Sequence, residues 1–288
     1  MTVPPIHLTH VNELVSLLQR HGFHTSKSLG QHFLISPHAL AAIIAACELA
    51  DGLPVLEIGP GIGTVTRALA EQGAHVTAVE LDRRALQVLQ ETVGAFPAVQ
   101  VLQGDILHVD LSAILGEQRW TVVGNLPYYI TTPVISRILD FSDRVERAIF
   151  LVQREVAERM QAAPGSKIYG SLSVYVQVYA AVERVARVPR GAFFPPPTVE
   201  SAVVRLVMRR EPLVPPALQP TFFSVVRAAF GQRRKTLETA LLGGEVLPGG
   251  RPAVAEMLAA VGIASSRRGE TLDIAEFRQI AEEVARRR

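Results

Sequence analysis

From Val55 onward, short runs rich in β-branched residues alternate with segments of helical periodicity, and no other feature of the chain constrains its fold as tightly. Such alternation builds βαβ units on a parallel sheet. The spacing predicts strands over 55–58, 75–79, 99–102, 120–123, 147–152, 182–188 and 201–208. Only residues 189–198 separate the last two, too few for a crossover helix, so the final strand is expected to run antiparallel. Upstream, Val11, Leu14, Val15 and Leu18 recur at helical spacing, and Ser36-Pro37 offers an N-cap and first-turn proline for a helix through Cys47. The four prolines between Glu211 and Pro220 read as a linker, and the chain beyond them reads as all-helical. Its last helix opens with Asp273 at the N-cap and Glu276 three residues on, a capping box. The expected organisation is a catalytic domain over 1–210, including an N-terminal helix and loop over 1–50, and a small helical domain over 211–288.

Composition excludes several classes. The longest apolar run, Ala39 to Cys47, is far short of the roughly 20 residues that span a bilayer. The start of the chain lacks a basic flank followed by an apolar core, and the single Cys47 rules out an internal disulfide framework, so a cytoplasmic setting is expected. Histidines and Cys47 show no metal-ligand spacing, and no metal is expected. Nothing in the pattern encodes an oligomer, so a monomer is the expectation. Net charge is only +2 but unevenly placed: residues 209–288 carry 13 basic and 9 acidic side chains, residues 1–208 carry 16 and 18. A basic helical domain of this kind suits a phosphate-bearing partner, although a solvated helix surface reads the same way.

Chemistry concentrates after the strands. Leu56-Glu57-Ile58-Gly59-Pro60-Gly61-Ile62-Gly63 sets a glycine-rich turn between the first strand and a helix, where backbone approaches a ligand closely. A dinucleotide fingerprint requires Gly-x-Gly-x-x-Gly, whereas the spacing here is Gly-x-Gly-x-Gly, which favours S-adenosylmethionine over NAD. Glu80 ends the second strand, where a carboxylate can accept both ribose hydroxyls, and Asp105 with Ile106 follows the third, placed for the cofactor's adenine.

Asn125-Leu126-Pro127-Tyr128-Tyr129 follows the fourth strand and belongs to the same rim. An adenine amine is a poor nucleophile because its lone pair is delocalised into the ring. The Asn125 amide oxygen and the Leu126 carbonyl can each accept one of its N–H groups, which favours a pyramidal nitrogen aimed at the methyl. Pro127 brings no competing N–H, and Tyr128 can stack on an extruded base. Farther on, Phe193-Phe194-Pro195-Pro196-Pro197 makes a rigid aromatic loop before the last strand, and either phenylalanine could close the other face of the base.

These segments resemble one family. Ser28 to Leu34, Glu57 to Gly63, Glu80-Leu81-Asp82, Gly104-Asp105, Asn125 to Tyr129 and the Phe-x-Pro-x-Pro-x-Val-x-Ser pattern from Phe193 to Ser201 are similar to the ribosomal RNA adenine N6,N6-dimethyltransferases of the bacterial small-subunit type. The resemblance implies a Rossmann-like α/β methyltransferase sheet of seven strands, the last antiparallel, followed by an all-helical C-terminal domain. It implies that His32 and Leu34 line the S-adenosylmethionine site with Gly59, Gly61, Gly63, Glu80, Asp105, Ile106 and Asn125. It also selects Tyr128 over Tyr129, and Phe193 over Phe194, as the residues on the base. Ala229 to Leu237 resembles the basic segment of the ribosomal enzymes, with Arg233, Arg234 and Lys235 placed for RNA phosphate, and Lys27 as a further contact. The implied reaction is dimethylation of two adjacent adenines near the 3′ end of small-subunit (16S) RNA, late in 30S assembly. Alternative readings are a methyltransferase of large-subunit RNA or of DNA adenine, and an assembly or transcription factor that uses the fold for binding.

Overall fold

The computed structural model describes residues 6–25 and 30–288. The chain forms two compact units, Met1–Ala157 with Glu183–Met208, and Glu158–Val182 with Arg209–Arg288.

The first unit is built on a seven-stranded sheet. Its strands are β1 (Val55–Ile58), β2 (Val76–Glu80), β3 (Val99–Gln103), β4 (Trp120–Asn125), β5 (Val145–Gln153), β6 (Ala180–Val188) and β7 (Ser201–Met208), in the order β3-β2-β1-β4-β5-β7-β6. Strands β1 to β5 are parallel, and β7 lies antiparallel to β5 from Gln153↔Ser201 to Arg147↔Val207. The reversed strand is therefore the one expected, inserted next to β5. Every residue of β1 is buried, as befits a central strand covered on both faces. From β1 the chain steps outward through β2 to β3, then returns to β4 on the other side. The crevice beyond the carboxyl ends of β1 and β4 is thus the switch point at which open α/β sheets bind ligands.

Helices cover the sheet. In α1 (Val11–Arg20), Leu14, Leu17 and Leu18 form one apolar stripe, which packs with Phe23, Phe33, Ile62 and Val88. Helix α2 (Pro37–Cys47) starts where the Ser36 hydroxyl accepts the Ala39 N–H at 3.3 Å. Next come α3 (Thr64–Glu71) and α4 (Arg83–Val93), the latter capped by Asp82. The remaining connections contain α5 (Leu111–Leu115), α6 (Thr131–Leu139) and α7 (Arg154–Gln161).

The second unit corrects the expected boundary. Residues 158–182 belong with the C-terminal helices because their aromatic side chains do. Tyr169 meets Phe230 at 5.8 Å between ring centroids, and Tyr175 of α8 (Ser171–Tyr179) meets Phe223 at 4.9 Å. Residues 211–220 are not a free linker either. Val214 is fully buried, the Leu213 N–H donates to the Val178 carbonyl at 2.9 Å, and Gln219 donates to the Val214 carbonyl at 3.1 Å. The prolines there shape a packed turn. Helices α9 (Gln219–Gly231), α10 (Leu237–Gly243), α11 (Gly250–Ala260) and α12 (Ile274–Arg287) complete the unit around Phe222 and Phe277. The capping box of α12 is formed, with the Glu276 N–H donating to Asp273 at 2.8 Å and the Asp273 N–H donating to Glu276 at 3.1 Å.

Candidate active site

One cavity at the switch point brings together Gly59, Glu80, Asp105, Ile106 and Asn125 with His32 and Leu34. Residues from five separate stretches of sequence converge there because the sheet aligns the carboxyl ends of β1, β2, β3 and β4.

The glycine turn depends on backbone that other residues adopt with difficulty: Gly59, Gly61 and Gly63 have φ of 65°, 57° and 89°. Their surroundings differ. A Cβ on Gly59 would meet open space, one on Gly61 would approach the Phe33 ring at 3.2 Å, and one on Gly63 would strike Thr92 Oγ1 at 2.9 Å. Gly59 thus leaves room for a ligand, whereas Gly63 lets α3 pack on α4. The unfilled space over Gly59 suits a cofactor whose chain lies against the backbone.

Glu80 is 6% exposed and stitches the pocket rim. Its Oε2 accepts the Gly61 N–H at 2.9 Å and its Oε1 accepts the Asp82 N–H at 2.7 Å. Burial pushes its pKa up, with these two N–H groups pulling the other way. Each oxygen keeps acceptor capacity beyond its single N–H, so the carboxylate can still receive two ribose hydroxyls. Asp82 is held in turn by Arg84 at 2.7 Å and Gln31 at 2.8 Å, and Arg84 keeps its carboxyl below the usual range. Asp105 accepts the Leu107 N–H at 2.9 Å and faces His108 Nδ1 at 2.9 Å, which orients the carboxylate at the pocket edge. Ile106 is buried and forms an apolar wall.

At the end of β4 the Asn125 Nδ2 donates to the His32 carbonyl at 2.9 Å. That bond commits the NH2 end of the amide and leaves its oxygen as the free acceptor. Gly124 permits the approach of β1 and β4, since a Cβ there would lie 3.1 Å from the Ile58 carbonyl. Leu126 is anchored by its buried side chain and by its N–H, which donates to Leu151 at 3.1 Å. The Pro127 carbonyl accepts both the Ile130 N–H and the Thr131 hydroxyl at 3.1 Å, closing the turn.

Tyr128 is half-buried, with its hydroxyl 2.9 Å from Ser201 Oγ, and burial raises its pKa. His32 stacks on it with ring centroids 6.0 Å apart, and His32 Nδ1 lies 2.7 Å from the Pro195 carbonyl. The His32 side chain therefore ties the proline loop to the end of β4, while its main chain accepts from Asn125. Residues Phe33 and Leu34 pair antiparallel with Phe194 and Phe193, respectively.

The expectation for Phe193 needs correction. Its ring is 3% exposed and packs in the core with Leu34, Ile43 and Leu151. Strand pairing turns alternate residues to opposite sides, so Phe193 points into the core and Phe194 packs beside the α1 cluster. Tyr129, passed over in favour of Tyr128, is 56% exposed and borders the cofactor cavity, its ring lying against Gly30.

Among the expected RNA contacts, Lys27 lies outside the described residues. Arg233 donates to the carbonyls of Lys167 and Tyr169 at 2.9 and 3.0 Å and to Glu270 at 3.1 Å, so it braces the second unit internally. Arg234 and Lys235 are exposed. Sequence reasoning missed Gln31 and Asp82 as pocket braces. It also assigned Glu57 no role, although the turn motif contains it.

Sheet order, reversed strand and glycine cradle define an S-adenosylmethionine-dependent methyltransferase of the Rossmann-like class. The family model for ribosomal RNA adenine dimethylase matches residues 22–286. Ribosomal RNA small subunit methyltransferase A of Anoxybacillus flavithermus is 44% identical over 276 residues, spanning 93% of each chain. The protein of the same name from Geobacillus kaustophilus is 43% identical over 93% of this chain and 94% of its own. Among solved structures, a dimethyladenosine transferase from Plasmodium falciparum superposes with TM-score 0.76 at 23% identity, covering 88% of this chain and 98% of that one. The 23S rRNA methyltransferase ErmE superposes with TM-score 0.67 at 28% identity, covering 88% and 99%. The chain belongs to the ribosomal RNA adenine dimethylase family, and it is a methyltransferase whose cofactor is S-adenosylmethionine. Among the described residues no helix is long and apolar enough to cross a membrane.

Proposed function

We propose that the protein transfers two methyl groups to the N6 amine of each of two adjacent adenines near the 3′ end of small-subunit ribosomal RNA, during late assembly of that subunit. The observation that carries the chemistry is the Asn125–His32 bond, which turns one uncommitted amide oxygen into the pocket beside the glycine cradle. The 44% and 43% identical relatives named for the small subunit support the choice of RNA. The protein works in the cytoplasm as a monomer.

Bound S-adenosylmethionine supplies a methyl group already made electrophilic by its sulfonium. The residues of this chain have only to align the nucleophile. Asn125 Oδ1 and the Leu126 carbonyl accept the two N–H groups of the amine, and Tyr128 stacks on the extruded base, a contact of about 1–3 kcal/mol. Asn125 and Leu126 would hold the amine in line with the methyl group that the cofactor supplies, and the displaced N–H proton would pass to solvent. The raised pKa of Tyr128 keeps it a phenol, so it acts as a platform and not as a base.

Incubation with unmethylated small subunits and labelled S-adenosylmethionine, followed by nucleotide mapping, tests the assignment. Dimethyladenine at two neighbouring small-subunit positions is the expected product. Label confined to duplex DNA, or to the 23S rRNA for which ErmE is named, overturns it.

The C-terminal cations separate by role. Replacing Arg234 and Lys235 together by alanine is expected to weaken RNA binding and flatten the dependence of log Kd on log salt by roughly 1.5, about 0.7–0.9 per phosphate contact. Arg233→Ala is expected to lower Tm instead, because it frees two carbonyls and Glu270. Equal salt slopes for wild type and the double variant would remove these residues from the RNA contact.

A further inference from the structure

Among the described residues, Tyr129 is the one phenylalanine, tyrosine or tryptophan whose side chain is exposed, at 56%, and it stands at the rim of the cavity beside Asn125 and Pro127. A single apolar side chain on a surface is ordinary. A ring fixed in place next to a reaction centre is a different matter, and the turn that carries Tyr129 is held at both ends. The Leu126 N–H donates to the Leu151 carbonyl at 3.1 Å, and the Pro127 carbonyl accepts the Ile130 N–H and the Thr131 hydroxyl, each at 3.1 Å.

The two central residues of that turn diverge. Tyr128 reaches Ser201 Oγ and lies beside His32, whereas Tyr129 is backed by Gly30. A Cβ on Gly30 would lie 3.7 Å from Cδ1 and Cε1 of the Tyr129 ring and 3.4 Å from Pro127 Cβ. Backbone without a side chain therefore supports one side of the ring, and more than half of the residue is left to solvent. Support on one side and open surface on the other is the form of a stacking platform. The turn thus carries two aromatic rings on consecutive residues, with Cα atoms about 3.8 Å apart, aimed to different sides.

The substrate has a matching need. A base that leaves its stack to enter a pocket also strips a stacking partner from the nucleotide next to it. Tyr128 compensates the target base, and nothing described so far compensates its neighbour.

We propose that Tyr129 is the platform for the nucleobase adjacent to the target adenine, holding it at the cavity mouth while Tyr128 takes the target; this rests on the RNA assignment proposed above. A platform on one side of the turn accepts a neighbour of one polarity, 5′ or 3′. Where two adenines are adjacent, the second therefore occupies Tyr129 during methylation of only one of them, and the two positions respond unequally to its loss.

Unmethylated small subunits and labelled S-adenosylmethionine test this with wild type, Tyr129→Ala and Tyr129→Phe, the label being mapped to each adenine. Tyr129→Ala is expected to raise the apparent KM for small subunits by about five- to hundredfold, while the Kd of S-adenosylhomocysteine stays within about twofold of wild type. Tyr129→Phe keeps the ring and is expected to restore the wild-type KM. Changing the partner adenine to uridine, a smaller stacking surface, identifies the base. In wild type that change is expected to raise KM at one of the two remaining targets, and in Tyr129→Ala to add almost nothing. Should Tyr129→Ala fail to fold, Tyr129→Leu, apolar but without an aromatic face, replaces it in the cycle. Penalties that simply add overturn the proposal, as does an unchanged KM in Tyr129→Ala, or a loss that appears in the Kd of S-adenosylhomocysteine and so makes the ring a wall of the cofactor site. Any of these results, obtained with wild-type label at two adjacent adenines, leaves the RNA assignment standing; wild-type label absent from small-subunit RNA overturns both.

Discussion

Asn125→Ala is expected to lower the single-turnover rate of methyl transfer by about two to three orders of magnitude, ~2.7–4 kcal/mol of barrier, the range seen when one preorganised polar group is removed from an active site. The size follows from how the amide is held. Its Nδ2 donates to the His32 carbonyl at 2.9 Å, so the oxygen is aimed before any substrate arrives and needs no reorganisation. Aspartate cannot substitute. Its carboxylate would set an oxygen against the His32 carbonyl, and the repulsion would either displace the loop or demand a proton. Asn125→Asp is therefore expected to lose at least as much rate as Asn125→Ala. Cofactor Kd, measured alongside, should change far less than the rate in the alanine variant, because Glu80 and the glycine cradle stay in place. A rate within tenfold of wild type in Asn125→Ala would remove Asn125 from the reaction centre.

The second large effect concerns stability of the cofactor-free protein and runs against the usual behaviour of carboxylates. Glu57 is held near 8 in the folded chain, against an ordinary value of 4.5. Below 4.5 both folded and unfolded chains carry the proton, and this group adds no pH dependence. Between the two values only the folded chain retains it, so folding stability falls as pH rises, by about 1.4 kcal/mol per pH unit from this group. Above about 8 the full penalty is present and the slope ends. Glu57→Gln removes the titration while keeping a polar side chain of the same shape. Its Tm is expected to decline less between pH 5.5 and 8 than that of wild type, by roughly 10 °C for a unit of this size. Parallel pH profiles for the two proteins would show that Glu57 is ionised in the folded chain at neutral pH.

Much of the fold was legible in local pattern. Strand positions followed from β-branched runs, and the antiparallel β7 followed from the shortness of residues 189–198. The residues that line the cavity, Gly59, Gly61, Glu80 and Asp105 among them, were legible because glycine at positive φ and a carboxylate at a strand end each serve one steric or electrostatic purpose, and the spacing between them survives in sequence. Where the structure added to or changed a reading, the reason was tertiary. The segment 158–182 goes with the C-terminal unit because Tyr169 and Tyr175 find Phe230 and Phe223, partners more than 45 residues away. Arg233, although 44% exposed, donates to the carbonyls at 167 and 169, partners that no charge count anticipates. Phe193 is sent into the core by its pairing with Leu34, a register that only the folded chain defines.

By itself, then, the sequence determined the βαβ sheet, the methyl donor, and an Asn125 to Tyr128 segment suited to an aromatic amine, because periodicity and short motifs carry those constraints within a few residues of one another. Only the tertiary structure decided how the Asn125 amide is oriented, which aromatic rings remain accessible, and that Glu57 stands buried at the edge of the cavity with one carboxyl oxygen unpartnered. Those properties depend on which distant atoms occupy the space around a side chain, and burial and hydrogen-bond satisfaction exist only once the chain has packed.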